Sequence, residues 1–281
     1  MIDGSGARPG VTTAARVIAI DGGRRREIVD DLATEEPLEI RIVAAGQTQT
    51  LAVTMRTPGH DFELAAGFLF AEGLIRDPSD LAGISYCIDP AVDAEQRYNI
   101  VNVHLRAPAV QLDRFERHFI TSSACGVCGK ANIDALATRA PKLEDETRLS
   151  TALLAQLPGK MRDAQRVFAS TGGLHAAALF NDGGTLLALR EDVGRHNALD
   201  KILGWSILGA RPAPGGRILL VSGRASFELA QKCIVGRIPV LCAVSAPSSL
   251  AVSLAQAFDL TLVGFVRGER ANIYAGMRRI V

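Results

Sequence analysis

Hydrophobic positions along the chain change rhythm partway through. LEIRIVA (38–44) and TLAVTM (50–55) alternate apolar with polar residues, and predict two strands joined around Gly46. TPGHD then turns the chain. DFELAAGFLFA (61–71) carries apolar side chains around most of a short helix, which Gly73 can end. A second strand pair is expected at 83–88 and 98–105, where YNIVNVHL partly alternates. Helices are expected around 112–118 and from Lys130 to Arg139, on either side of a Gly-rich loop. PKLEDETRL (141–149) is polar, charged and opened by proline, so it reads as a linker.

Beyond residue 150 the rhythm is different. A helical region covers about 150–167. Strands AAALF (176–180) and TLLALR (185–190) flank the turn Asn181-Asp182-Gly183-Gly184. Helix and strand then alternate: helices at 195–208, 226–236 and 248–258, strands at 217–222, 240–244 and 260–266. Short apolar strands separated by helices predict a mostly parallel sheet covered on both faces. The expected organisation is a flexible tail (1–15), an N-terminal α+β domain (16–140), the linker (141–149) and a C-terminal α/β domain (150–281).

Composition fits this plan. The chain has 281 residues, 48% hydrophobic and 22% charged, enough for two folded domains. A formal net charge of +1 provides no global field for nucleic acid or anionic lipid, so any anion site must be local. Residues 1–15 contain no apolar signal-peptide core. Residues 238–258 carry no charge, but Pro239, Pro247 and a Ser-Ser pair interrupt them, so they read as strand, turn and helix rather than a membrane span. Five cysteines are too few and too odd in number for a disulfide framework. A reducing cytoplasm is the expected location.

The candidate chemistry starts in TSSACGVCGK (121–130). Cys125 and Cys128 supply only two of the four ligands a structural zinc site needs, and no second Cys-x-x-Cys exists. A redox dithiol is possible by composition, but the motif precedes the linker and lies outside the alternating half. A Gly-flanked thiolate, favoured by a following helix N-terminus, can also act as a sulfur carrier. Residue types alone leave carrier and redox protein open. Cys87, Cys233 and Cys242 sit in or near apolar segments and read as small core residues.

The second half offers polar turns at strand ends. TGGLH (171–175) brings His175. REDVGRHNALDK (190–201) brings Asp192, Arg195 and His196. SGRAS (222–226) brings Arg224 and Ser226, and VRGER (266–270) brings two arginines. In open α/β sheets ligands sit beyond the carboxyl ends of strands, and backbone N–H groups with arginines suit phosphate. Together these turns predict a pocket for an anionic, nucleotide-like ligand. No Walker loop, dinucleotide-binding Gly motif, nucleophile elbow or zinc-deaminase signature is present.

MRTPGHDFELAAGFLFAEGLI, ACGVCGK, EDVGRHNALDK, SGRASFELAQK and LTLVGFVRGER, in that order along the chain, resemble the formate dehydrogenase accessory sulfurtransferase family, FdhD. The resemblance runs from about residue 36 to the C-terminus. It implies a C-terminal three-layer, cytidine-deaminase-like domain without the deaminase zinc. It implies a sulfurtransferase that takes sulfur from a cysteine desulfurase, carries it as a persulfide on Cys125, and passes it to the molybdenum cofactor of formate dehydrogenase. Cys128 matches the family's second cysteine. Phe265, Val266, Arg267, Gly268, Glu269 and Arg270 match the segment expected to hold the molybdopterin guanine dinucleotide form of that cofactor. The partners so implied are the desulfurase, the apo-dehydrogenase and a second copy in a homodimer, with no nucleic acid and no membrane. A cofactor chaperone that moves no sulfur, and a dithiol redox protein, are the alternatives.

Overall fold

The computed structural model describes residues 9–106, 136–137, 140–209 and 217–281. Cys125, Cys128 and the helix expected at 112–118 lie outside the described residues. Of the helix expected at 130–139, only Leu136 and Ala137 are described, and both are helical.

The chain begins with an element that periodicity did not predict. β1 (Thr12–Asp21) and β2 (Arg24–Ala33) form an antiparallel hairpin that pairs with no other strand. Thr12 to Ala15 therefore belong to a strand rather than to the expected tail. Gly22 and Gly23 have φ of 53° and 82°, as a type I′ turn requires. Arg, Asp and Glu are interleaved with the apolar residues on both faces, so no buried face announced these strands. The usable cue was DGG between two β-branched runs.

β3 (Glu36–Ala44), β4 (Gln47–Arg56), β5 (Leu81–Tyr86) and β6 (Ile100–Leu105) make a sheet in the order β4-β3-β6-β5. Alternate residues Leu38, Ile40 and Ile42 of β3 join Val101 and Val103 of β6 in a core with Leu64 and Leu69. The last two come from α1 (Asp61–Ala71), which lies across that face.

The second half contains α2 (Thr151–Ala164), α3 (Arg166–Thr171), β7 (His175–Phe180), β8 (Leu186–Asp192), α4 (Arg195–Leu208), β9 (Ile218–Val221), α5 (Phe227–Val235), β10 (Val240–Ala243), α6 (Ser249–Phe258), β11 (Thr261–Arg267) and β12 (Arg270–Ala275). Its sheet runs β12-β11-β10-β9-β7-β8, with β9, β10 and β11 parallel. Period-two alternation splits the side chains between two cores. Ala177, Leu179, Leu219 and Leu241 face α4, α5 and α6, whereas Ala176, Ala178, Leu220 and Cys242 face α2. This is the expected three-layer α/β arrangement. β12 is an addition: RANIYA folds back antiparallel on β11, a local hairpin that the α/β rhythm hid. The uncharged stretch resolves into β10, a turn and α6, and among the described residues no helix is long and apolar enough to cross a membrane.

The halves are tightly joined. α1 crosses α4 at Gly67 and Gly204, where the backbones touch. Residues 141–149 are irregular but held down: Leu143 N–H donates to Phe258 O at 2.9 Å, and the fully buried Arg279 donates to the carbonyls of Leu143, Asp145 and Asp259.

Candidate functional site

Two of the motifs singled out in the sequence meet in the seam between the halves. Arg56 is fully buried and grips Asp61 with Nε at 3.1 Å, while another guanidinium nitrogen donates to Asn99 at 3.0 Å. Tyr86 OH donates to the other Asp61 oxygen at 3.0 Å. Thr57 N–H donates to Asp192 across the seam at 3.2 Å. Asp192 is itself fully buried, with Lys201 Nζ at 2.7 Å, and Lys201 also donates to Thr57 O at 2.9 Å. Asn197 donates to Met55 O at 2.7 Å. Much of MRTPGHD and EDVGRHNALDK is therefore interlocking polar scaffold, and Asp192 is part of that scaffold rather than a group that faces a ligand.

This makes a prediction. Lys201→Met leaves the Asp192 carboxylate buried without its cation, and urea unfolding should show a loss of about 3–5 kcal/mol. Adding Asp192→Asn should recover part of that loss, because the orphaned charge is then gone.

Beside the seam, β7 is antiparallel to β9, so its first residue reaches the carboxyl end of β9. Ala176 N–H donates to Ser222 Oγ at 2.9 Å, and a side chain at Gly223 would meet the His175 ring at 3.4 Å. The next contact is to the β10 turn: Ser245 N–H donates to Gly223 O at 3.3 Å, and Ser248 N–H to Ala225 O at 2.9 Å. The β11 turn follows: Phe265 N–H donates to Ser245 O at 3.1 Å, and Arg267 Nε to Val244 O at 3.3 Å. His175, the SGRAS turn, the SAPS turn and the Arg267 loop thus form one continuous sheet edge. Ser226 and Ser248 cap α5 and α6 there, so two helix N-termini open onto it.

The edge is cationic, and one of its cations is underused. Arg195 stands at the start of α4, and among the described residues its buried Nε has no hydrogen-bond partner. Arg224, Arg267 and Arg270 are exposed. His196 Nε2 lies 3.2 Å from Ser226 Oγ and 3.4 Å from Glu228. Burial holds the His196 imidazole below its ordinary value, helped by Arg195 and Lys232 and opposed by Glu228. Burial, then Arg195, does the same to His175, with Asp192 opposing. Both rings are neutral at pH 7. The stability they permit is present above about 6.5, and is lost as pH falls through their lower folded values.

Behind His196 lies a buried pair, Lys232 Nζ and Asp200 Oδ1, 2.7 Å apart. Burial pushes the Asp200 carboxyl up to about 7 against the pull of Lys232. Desolvation pulls Lys232 down, but Asp200, Glu228 and Glu72 outweigh it and hold it above its ordinary value.

The 265–270 segment is a tight hairpin. Phe265 has φ 55°, unusual for a bulky side chain, and the β11–β12 register slips between Gly264 and Arg267. That bulge re-aims the chain. It leaves Phe265 half-buried, turns Val266 into the α2-side core, and sends Arg267, Gly268, Glu269 and Arg270 to solvent. Of the six residues expected at the cofactor, Val266 is a core residue, and only its backbone is left to face a ligand.

A cleft of about 460 Å³ opens on the α2 side of this edge, beside His175, Ser222 and Val244. Arg162, Gln165 and Phe168 line it too, with the Arg162 guanidinium 4.6 Å from the centre of the Phe168 ring. These three went unnoticed in the sequence, because nothing in an amphipathic helix marks which of its residues overhangs a sheet edge. Cys87, Cys233 and Cys242 are buried as expected, and burial pushes Cys233 up and Cys242 up to about 12. Among the described residues, no three His, Cys, Asp or Glu side chains come together as a metal site.

Fold and site together define a two-part α/β protein with an arginine-rich, helix-capped sheet edge. The family model described as FdhD/NarQ matches residues 33–281, and the chain belongs to that family. It is 52% identical over 275 residues to the sulfur carrier protein FdhD of Streptomyces avermitilis, covering 96% of each chain. It is 50% identical over 258 residues to the protein of the same name from Mycobacterium tuberculosis, covering 89% of this chain and 92% of the other. A crystal structure from Desulfotalea psychrophila, provisionally assigned as a formate dehydrogenase accessory protein, superimposes with a TM-score of 0.74 at 25% identity, over 97% of this chain and 100% of the other.

Proposed function

We propose that this protein is a cytoplasmic sulfur carrier that serves formate dehydrogenase by supplying sulfur to its molybdenum cofactor. The observation that carries the ligand half of this reading is the sheet edge, where two helix N-termini and the buried Arg195 Nε lie, and whose turns carry the exposed Arg224, Arg267 and Arg270. Guanidinium forks and free backbone N–H groups favour the phosphates of a guanine dinucleotide. The names of its relatives support the sulfur half.

The chemistry is a sulfane transfer. The Cys125 thiolate attacks the outer sulfur of a cysteine desulfurase persulfide. The desulfurase S–S bond breaks, its cysteine leaves as thiolate, and Cys125 holds the new S–S bond. Nothing is oxidised or reduced overall in this step. The molybdenum cofactor, as bis(molybdopterin guanine dinucleotide), would be the cargo held at the sheet edge; delivery would break the Cys125 S–S bond and return Cys125 as thiolate, and a reduced molybdenum would supply the two electrons that take the sulfane sulfur to sulfide level, before the apo-dehydrogenase receives the cofactor.

Intact-mass and peptide analysis after incubation with a cysteine desulfurase and cysteine tests this. The expected product is one added sulfur on Cys125 that dithiothreitol removes. A Cys125–Cys128 disulfide instead would mean a redox protein, and no change at either cysteine would mean a chaperone. The site makes a separate prediction. Arg267→Ala with Arg270→Ala should weaken binding of GDP, a fragment of that cofactor, by about 10- to 100-fold, as expected for lost charge-assisted hydrogen bonds. Isothermal titration measures it.

A further inference from the structure

At the other end of the sheet from the arginine edge lies a second cleft, of about 390 Å³. Arg217 and Ile238 line it just before β9 and β10 begin, so it sits at the amino ends of those strands. The length of β9, about 13 Å, separates it from the SGRAS turn.

The floor of this cleft is apolar, made by Phe70 of α1, Leu179 of β7, and Ile202 and Leu203 of α4. Its rim is cationic. Arg76 of the first half and Arg237 of the second are both exposed, and the buried Arg217 donates to Ser206 Oγ at 2.9 Å. Asp77 is the acid among the lining residues, and it is committed locally: its carboxylate accepts Ser79 N–H at 2.7 Å and caps the 3₁₀ turn Pro78–Asp80. Three guanidinium groups against one engaged carboxylate make the cleft cationic. Its chemistry suits apolar side chains that arrive with a carboxylate beside them.

The cleft also has a place in the chain. Residues 107–135, which include Cys125 and Cys128, join the described residues at Arg106 and Leu136. Arg106 is tied to the first rim: its N–H donates to Asp80 O at 2.9 Å and its Nε to Leu81 O at 2.8 Å. Leu136 and Ala140 share one core with Leu179, Ile202, Leu203 and Ile238 of the cleft. Arg237 then holds the carbonyls of Pro141 and Lys142, each at 3.1 Å. Both roots of the stretch that carries Cys125 are therefore fastened to the walls of this cleft.

We infer that the cleft is the docking site for the protein that loads Cys125, and that it takes an apolar segment of that donor with an adjoining carboxylate. The inference rests on the carrier reading above, in which the donor is a cysteine desulfurase. One small thiol offers a partner little binding energy, so affinity must come from a pocketed surface beside it. A cleft of this size accepts a few side chains, and its charged rim selects their sign.

The test is the initial rate of persulfide formation on Cys125, read by peptide mass in the full-length protein. R76E/R237E should need at least about tenfold more desulfurase to reach half its maximal loading rate. R76E alone, which alters only an exposed side chain, should need about threefold more. Added NaCl should slow the loading of wild type more than that of the double variant. Glutathione persulfide needs no docking. It should load all three proteins equally, its outer sulfur passing to Cys125 as glutathione leaves as thiolate. GDP binding at the distant sheet edge should be the same in all three. Variants that the desulfurase loads as readily as wild type would overturn the docking site, and so would variants that lose loading from both donors. Wild type loaded by glutathione persulfide but not by the desulfurase would overturn the docking site and leave the carrier reading standing. Wild type loaded by neither would end both.

Discussion

A Cys125→Ala variant should leave formate dehydrogenase without activity, at least about a hundredfold below wild type, while the variant itself folds normally. The reason is chemical: a sulfane transfer requires a sulfur nucleophile at that position, and removing it removes the bond that carries the cargo. The other described thiols cannot substitute. Cys87, Cys233 and Cys242 are buried, and burial keeps Cys233 and Cys242 protonated by pushing their thiols far above neutral pH. The measurement is dehydrogenase activity in cells that carry only the variant, with Cys128→Ala beside it. Equal loss from both variants, together with a cycling Cys125–Cys128 disulfide, would point to redox chemistry. Normal activity with Cys125→Ala would end the carrier reading.

Gly67→Ala should also have a large effect on folding. A methyl group at Gly67 would lie 1.8 Å from Asp200 O, and one at Gly204 would lie 1.8 Å from Glu63 O. Both obstacles are backbone atoms in helices, which no rotamer change can move aside. α1 and α4 would have to separate, and the seam that runs from Arg56 through Asp192 to Lys201 would open with them. The expected loss is about 3 kcal/mol or more, the upper end for overpacking, with Tm lower by roughly 10 °C. Gly159→Ala is the control. It lies on an exposed turn of α2 with nothing within 4 Å of the new methyl group, and alanine's better helix propensity should leave stability unchanged or slightly higher. Equal melting temperatures for Gly67→Ala and wild type would mean that the helices do not cross this closely.

The same contacts explain a misleading sequence signal. MRTPGHDFELAAG and EDVGRHNALDK have the polar, Gly-containing look of ligand loops. Yet Arg56, Asp61, Asp192, Asn197 and Lys201 are buried and spend their hydrogen bonds on each other and on backbone of the opposite half. A single chain cannot show whether a polar motif faces a ligand or another motif more than 130 residues away. Arg195 and His196 belong to the same motif but turn toward the sheet edge, because they sit on the first turn of α4, past the seam.

The sequence by itself determined the elements whose burial is periodic. Strands and helices from β3 to α1 and from β7 to β11 follow from apolar spacing, since each must hide a face. It also determined the chemistry available: the thiol pair, the arginine turns, and family membership through ordered motifs. The tertiary structure alone decided what lacks a local signature. It joined four separated turns into one edge, because parallel β9, β10 and β11 bring their carboxyl ends side by side and antiparallel β7 brings its first residue to them, whatever their distance in the chain. It also gave β1–β2 and β12 their strands, because their polar or exposed faces carry no burial pattern to read. And it sent Val266 into the core beside an exposed Arg267, because a one-residue bulge reverses which side of the sheet each side chain meets.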